Sequence, residues 1–487
     1  MFENFVNWFN SIVWSPALVY LCLGTGLYFS IRTRFLQVRH VGEMVKLTFK
    51  GEKSDAGVSS FQALALSLSG RVGTGNIAGV ATAIAFGGPG AVFWMWLVAF
   101  LGAGSAYVES TLAQIYKTKH KGQFRGGPAY YIERGLGIKW YAVLFAFATI
   151  LATGMLLPGV QANSIASSLN TAFGINTAVT GFVLVIVLAL IIFGGVKRIV
   201  GVAQIVVPFM AIGYVLVALI IVGMNIDKLP DAFMLIIKSA FALESAFGGI
   251  IGLAISWGVK RGIYSNEAGQ GTGPHAAAAA EVSHPVKQGL VQSFSVYIDT
   301  LFVCSATAFM MIITGMYNVF DATGKGFIVN NMNGAEPGPG YTQAAVESVF
   351  PGFGNVFVAI SLLFFAFTTI MAYYYIAETN IAYLNRDKDR PWMLHVLKVL
   401  FLGVVFYGCV KTAATAWALG DIGVGIMAWV NIIAILLLQK PALIALKDYE
   451  KQKKEGKDPV FQPKDIGIEN ADFWEHEYGK TKKEDVS

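Results

Sequence analysis

Ser67-Leu-Ser-Gly-Arg-Val-Gly-Thr-Gly-Asn-Ile-Ala-Gly79 lies inside an apolar segment, Phe61 to Phe86, that is long enough to cross a bilayer. Gly70, Gly73, Gly75 and Gly79 crowd its middle, with Arg71, Thr74 and Asn76 between them. Each glycine weakens a helix by about 1 kcal/mol relative to alanine. In hydrocarbon an unwound turn leaves peptide groups unpaired, so it persists only where it lines a polar cavity or binds something. Free N–H groups at the start of the second half-helix suit a carboxylate, and free carbonyls at the end of the first suit a cation. Gly75-Asn-Ile-Ala-Gly79 also matches the GxxxG packing pattern. The polar residues beside it and a second interruption further along favour the binding reading over packing alone.

Working outward, the chain of 487 residues is 55% hydrophobic and 14% charged, which makes it a polytopic membrane protein. Cys22, Cys304 and Cys409 all lie in apolar stretches and form neither a disulfide framework nor a zinc pattern. The net charge of +6 collects in loops and gives no case for nucleic acid. The N-terminal segment has no basic leader and reads as a retained helix.

Hydropathy divides the chain into about eleven spans. They lie at roughly 5–30, 57–86, 90–116, 140–170, 177–195, 200–223, 236–258 with a continuation to about 281, 288–316, 343–383, 394–410 and 415–438. Basic residues alternate with this count: Arg32 to Lys53, Lys117 to Lys139, Lys197 with Arg198, Lys260, Arg261 and Lys287, and Arg386 to Arg390 all fall on one side. That side is the cytoplasm, so the N-terminus is outside and the C-terminus inside, in the plasma membrane. Setting the first span aside leaves five and five, and an odd number per half makes the halves inverted repeats. The expected division is residues 1–52 (extra helix and basic loop), 53–235 (first repeat), 236–440 (second repeat) and 441–487 (charged cytoplasmic tail of uncertain order). The second half should open on an interrupted helix too. Gly248-Gly-Ile-Ile-Gly-Leu-Ala-Ile-Ser-Trp-Gly-Val259, running into Tyr264-Ser-Asn-Glu-Ala-Gly-Gln-Gly-Thr-Gly-Pro274, meets that expectation.

Several of these runs resemble the alanine or glycine:cation symporter family. They are Val72 to Ala81, Gly87-Gly-Pro-Gly-Ala-Val-Phe-Trp-Met-Trp-Leu-Val-Ala-Phe-Leu-Gly102, Arg261-Gly-Ile-Tyr-Ser-Asn-Glu-Ala-Gly269 and Pro274-His-Ala-Ala-Ala-Ala-Ala280. The resemblance covers roughly residues 1–445. It implies an all-α LeuT-type fold of two inverted five-helix repeats behind one extra helix. It also implies import of a small neutral amino acid, alanine or glycine, with Na⁺ or, less often, H⁺; glutamine is the runner-up.

A zwitterion at the bilayer middle needs both charges matched. N–H groups of Thr74, Gly75 and Asn76 suit its carboxylate. Carbonyls freed near Ile255 and Ser256, the Ser256 hydroxyl and the Asn76 amide oxygen suit its ammonium. Gln161 is expected to wall the pocket, and Trp257, with Gly258 beside the second break, to cap the side chain. The resemblance supports Thr74, Gly75, Asn76, Ser256 and Trp257, and carries Gln161 less well. It also implies a Na⁺ site from the carbonyls of Ser69, Val72 and Phe365 and the hydroxyls of Thr368 and Thr369. Five oxygens suit a hard cation, against the plainer role of threonines bonding their own helix.

These threonines cannot titrate and the sixth span, Ile199 to Val222, holds no Lys, Asp, Glu or His, which favours Na⁺ over H⁺. Arg71 has no partner that the sequence identifies. Glu109, Glu244, Asp299 and Glu378 read as structural pairs near span ends, Glu267 as a residue of the cytoplasmic exit, and His275 as a packing or capping residue. A channel would need a continuous polar pore, and an intramembrane enzyme a catalytic set; neither is present. No cofactor and no obligate protein partner is expected beyond Na⁺, the amino acid and the lipid.

Overall fold

The computed structural model describes residues 2–49, 57–386, 388 and 390–478. Lys50, Lys53 and the expected boundary at 52/53 lie outside the described residues, as does the tail beyond 478. The order of the main helices is α1 (Phe2–Val13), α2 (Pro16–Arg32), α3 (Ser60–Arg71), α4 (Val80–Gly87), α5 (Gly90–Ile115), α6 (Lys139–Leu151), α7 (Leu157–Phe173), α8 (Thr177–Ile192) and α9 (Val196–Met224). The second half continues with α10 (Leu229–Ala240), α11 (Ile251–Asn266), α12 (Gly273–Ala279), α13 (Pro285–Tyr297), α14 (Ser305–Thr314), α15 (Gly354–Leu384), α16 (Pro391–Val410), α17 (Ala413–Leu437) and α18 (Gln439–Lys454). Two short hairpins, β1–β2 (Thr118–His120 with Gln123–Arg125) and β3–β4 (Asn318–Phe320 with Phe327–Asn330), sit in connections.

Among the described residues eight helices are long and apolar enough to span a membrane, or nine with the bent pair 226–240 and 245–266 counted as one. The expected eleven is reached only by adding the shorter apolar helices Gly75–Gly87 and Thr177–Ile192. Helix α9 shows what the surrounding solvent must be: Ile205, Phe209, Ile212, Leu216 and Leu219 project outward, exposed along its length. An apolar face of that extent is stable against lipid and not against water.

Both interruptions occur, and one is displaced from its expected place. The first falls between α3 and the π-helical turn Gly75–Gly79 that leads into α4. The second was expected around Ile255–Gly258, but α11 runs unbroken from Ile251 to Asn266, so no carbonyls are freed at Ile255 or Ser256. The chain leaves the helix at Glu267 (φ 55°) and turns through Gly269 (φ 80°) and Gly271 (φ 91°) before α12. Those left-handed conformations are what glycine supplies there. The glycines of α11 serve close packing instead: a Cβ on Gly258 would lie 2.5 Å from the Ala91 carbonyl oxygen, and one on Gly262 would lie 2.4 Å from Val98 Cγ1, both on α5.

Lys260 and Arg261 are likewise inside α11, buried and ion-paired, so they are not loop residues reporting orientation. Residues 441–478 of the tail pack against the body. Phe461, Phe473 and Trp474 are buried, Phe461 N–H donates to the Ser283 carbonyl (3.0 Å), and Lys117 Nζ lies over the rings of Phe124, Phe473 and Trp474.

Candidate functional site

The end of α3 shows why the helix stops. In a continuing helix the N–H of Gly73 would bond to the Ser69 carbonyl and that of Thr74 to the Gly70 carbonyl. Instead Gly73 N–H donates to Asn76 Oδ1 (2.8 Å) and Thr74 N–H to Gln161 Oε1 on α7 (2.9 Å). Two side-chain amides thus take the donors, and each leaves a helix carbonyl without its usual partner. An unpaired buried N–H would cost roughly 1–3 kcal/mol, so the two amides hold the break open. Thr74, Asn76 and Gln161 are all buried. Gln161, expected as a pocket wall, occupies Thr74 N–H, one of the donors expected to face the carboxylate, and Asn76 Oδ1, expected to face the ammonium, is taken by Gly73 N–H. Asn163 makes ordinary inter-helix bonds to the Gly408 and Lys411 carbonyls.

The space beside the break is tight. A Cβ on Gly73 would lie 2.4 Å from Thr369 Oγ1 and 3.0 Å from Gln161 Oε1, and one on Gly75 would lie 3.1 Å from Ser265 Cα. Gly73 lets α15 and α7 approach the backbone, and Gly75 does the same for α11. On α15, Thr369 Oγ1 donates to the Phe365 carbonyl (3.0 Å) and reaches the Val72 carbonyl at 3.4 Å, while Thr368 Oγ1 donates to the Phe365 carbonyl (2.9 Å). The structure thus brings Val72, Phe365, Thr368 and Thr369 together. Ser69 keeps its hydroxyl on its own helix, at the Leu66 carbonyl. Its carbonyl is one of the two that lost a helical donor. The donor set is all oxygen, which suits a small hard cation.

Ser256 and Trp257 are elsewhere. Ser256 lines a cavity of about 230 Å³ with Asn7, Asn10 and Trp14 of the first two helices and their junction. Trp257 stacks on Phe86 (centroids 4.7 Å apart) and lies beneath Lys260 and Arg261. It shares with Phe86, Arg261, Trp417 and Asp421 a wider cavity of about 550 Å³. Arg261 donates bidentately to Asp421 on α17 (2.8 and 3.0 Å), Lys260 reaches the same carboxylate at 2.6 Å, and the guanidinium lies 4.3 Å from the Trp417 ring centroid. Ile255 packs against the core and Gly258 against α5, so neither reaches the first break.

The sequence reading missed the role of Asp299. Far from a half-solvated span end, it is fully buried in the π-helical turn Ile298–Cys304. It accepts from Asn76 Nδ2 (2.6 Å), Ser265 Oγ (2.9 and 3.0 Å) and Thr300 Oγ1 (2.7 Å). One carboxylate thus ties the first break to the last turn of α11. A π-turn facing another π-turn was the signal available, and no residue pattern announces it. Glu109, also buried, accepts from Gly269 N–H and Asn431 Nδ2, bracing the second break, and Glu378 pairs with Arg125 (3.0 Å). Glu267, expected at the exit, sits in the second break itself. Arg71 donates to the Gln292 carbonyl (3.0 Å) and to Ser295 Oγ. His275 caps and packs, between the Thr272 carbonyl and Asn380.

At the opposite end from the wide cavity, Val58 N–H donates to the Ala279 carbonyl and Glu281 N–H to the Val58 carbonyl, both at 3.1 Å. These bonds join the start of α3 to the end of α12.

Comparison with known proteins agrees with this architecture. A model of the sodium:alanine symporter family matches residues 1–463. The chain is 70% identical over 475 residues to the putative sodium/proton-dependent alanine carrier protein YrbD of Bacillus subtilis, covering 98% of each. It is 58% identical over 438 residues to the sodium/proton-dependent alanine carrier protein of Bacillus sp. strain PS3, covering 89% of this chain and 98% of that one. Among solved structures, a substrate-bound, outward-open Na⁺-coupled sialic acid symporter superposes with a TM-score of 0.52 over 96% of each chain at 13% identity, a likeness of fold.

Proposed function

From the premise that this chain belongs to the sodium:alanine symporter family, and is a transporter rather than an enzyme, we propose that it imports alanine, with glycine as a second substrate, by Na⁺-coupled alternating access. The N-terminus is outside, the C-terminus cytoplasmic, and the two five-helix repeats divide between α9 and α10, because the 235/236 boundary expected from sequence falls inside α10. The observation that carries the reading is the double capture of the first break: the backbone of Gly73 and Thr74 is held by Asn76 and Gln161, while Val72 faces Thr369. Substrate and ion positions are then separated by a residue or two of one unwound segment. An ion on the Val72 and Thr369 oxygens fixes the backbone that the amino acid must meet, which is the differential contact that coupling requires.

The substrate-binding set is Thr74, Gly75, Asn76 and Gln161, with Asp299 replacing the Ile255–Ser256 carbonyls as the acceptor nearest Asn76. Trp257, with Arg261 and Trp417, belongs to the approach to that site from the wide cavity. The Na⁺ set is Ser69, Val72, Phe365, Thr368 and Thr369. Alanine is favoured over glutamine because the relatives 70% and 58% identical are alanine carriers. The test is uptake by purified protein in liposomes under an inward Na⁺ gradient, with labelled alanine, glycine and glutamine. Concentrative alanine uptake with glutamine excluded supports the reading. Glutamine accumulated in preference to alanine refutes the substrate assignment.

A further inference from the structure

Four ionisable groups are buried together where the two interruptions meet. Arg71 interacts electrostatically with Glu267, Glu109 and Asp299. The basic residues of α11, Lys260 and Arg261, are both committed to Asp421. Three carboxylates therefore share one guanidinium in a medium where uncompensated charge is costly. Their hydrogen bonding differs. Asp299 accepts from three side chains, and Glu109 from the backbone of Gly269 and Gly271 and the Asn431 amide. Glu267 Oε2 accepts from Thr272 Oγ1 (2.7 Å) and the Tyr373 hydroxyl bonds the same carboxylate, while Oε1 is buried with no aligned partner among the described residues.

Beside Glu267 is a cavity of about 10 Å³, lined by Ser67, Gly70, Thr272 and Gly273. That volume is about the room of one water or one small ion. The Ser67 hydroxyl, also buried, has no partner either, and the Gly70 carbonyl is the one released when Thr74 N–H turns to Gln161. Glu267 Oε2 lies 3.4 Å from the Cβ position of Gly70, so the cavity spans from the first interrupted helix to the second.

We propose that Glu267, with Ser67, Thr272 and the Gly70 carbonyl, forms a second position for a coupling cation, Na⁺ or H⁺, distinct from the Val72–Thr369 set. It rests on the symport reading above. A cation there neutralises part of the acidic surplus and joins the two interrupted helices through one ligand sphere. Its departure leaves Glu267 charged and underpartnered, which favours the substrate-free rearrangement.

The experiment is the charge moved per alanine, from reversal potentials in proteoliposomes, for the wild type and Glu267→Gln. One arm sets a Na⁺ gradient at fixed pH and the other a pH gradient at fixed Na⁺. The expected result is one charge fewer per alanine in Glu267→Gln, with the arm that loses its dependence identifying the cation. An unchanged ratio overturns the proposal, whether alanine affinity falls, so that the carboxylate holds the substrate ammonium, or nothing changes, so that the cavity holds only water. Should Glu267→Gln not yield folded protein, Ser67→Ala removes one oxygen without removing charge. It is expected to weaken apparent cation affinity about tenfold, and an unchanged affinity overturns the proposal equally. A wild type that does not accumulate alanine at all refutes the symport reading, whereas wild-type coupling retained in Glu267→Gln refutes this site alone.

Discussion

Replacing Gly73 by alanine perturbs both halves of the site with one methyl group. The added carbon would lie 2.4 Å from Thr369 Oγ1, 3.2 Å from Thr369 Cβ and 3.0 Å from Gln161 Oε1. Ordinary van der Waals contact begins near 3.4 Å, so Thr369 must retreat by about 1 Å, away from the Val72 carbonyl it now meets at 3.4 Å. Gln161 must yield by several tenths of an ångström, which loosens its bond to Thr74 N–H. Overpacking a buried site costs roughly 1–3 kcal/mol, equivalent to about a 5- to 150-fold loss in affinity. The loss should appear in both ligands, as weaker half-saturation for Na⁺ and for alanine in proteoliposome uptake. Gly213→Ala is the control, because its added carbon meets nothing within 4 Å; it should change uptake by less than about twofold. A Gly73→Ala protein with wild-type dependence on both solutes would refute the claim that the two ligands share this unwound turn.

Asn76→Ala should abolish uptake while leaving the protein inserted, because it frees Gly73 N–H and takes one of three donors from Asp299; near-normal uptake in a liposome assay would contradict that. Asp421→Asn leaves two buried cations without their carboxylate and should destabilise the protein by about 3–5 kcal/mol, read as a lowered midpoint in a thermal assay of detergent-solubilised protein; an unchanged midpoint would count against the ion-pair assignment. Docking of α18 should fail in acid. Partial burial raises the Glu450 carboxyl, but bonds from His40 and Arg39 outweigh this and hold it below the ordinary glutamate range. A group depressed in this way adds stability that is fully present above its unfolded pKa, about 4.3, and is lost as pH falls through the folded value. The protection factors of residues 439–476, taken against the intrinsic exchange rate at each pH, should therefore be high at neutral pH and fall below about pH 4; protection factors unchanged at pH 3 would contradict it.

The first interruption was legible because its cause is local. Four glycines and three polar side chains within one apolar run leave no good helix, and Asn76 lies close enough in sequence to cap Gly73. The second was misplaced because glycine has two uses in a membrane helix. Gly258 and Gly262 are small so that α11 can lie against α5, whereas Gly269 and Gly271 are there for positive φ. A single sequence does not separate close packing from a turn when the packing partner is 160 residues or more away, as Ala91 and Val98 are. The same limit hid Asp421 as the partner of Arg261, and the tie from Asp299 to Asn76. The Lys and Glu content of the tail leaves its order open, because Phe461, Phe473 and Trp474, which pin it, are few among many charged residues.

The account stands on Na⁺ and amino acid meeting one unwound segment, so equilibrium binding of labelled alanine to the purified protein, in Na⁺ and in choline, tests it most directly. It predicts that alanine binds many-fold tighter in Na⁺, that alanine tightens Na⁺ by the same factor, and that Thr369→Val erases both effects. Equal alanine affinity in the two salts would contradict it.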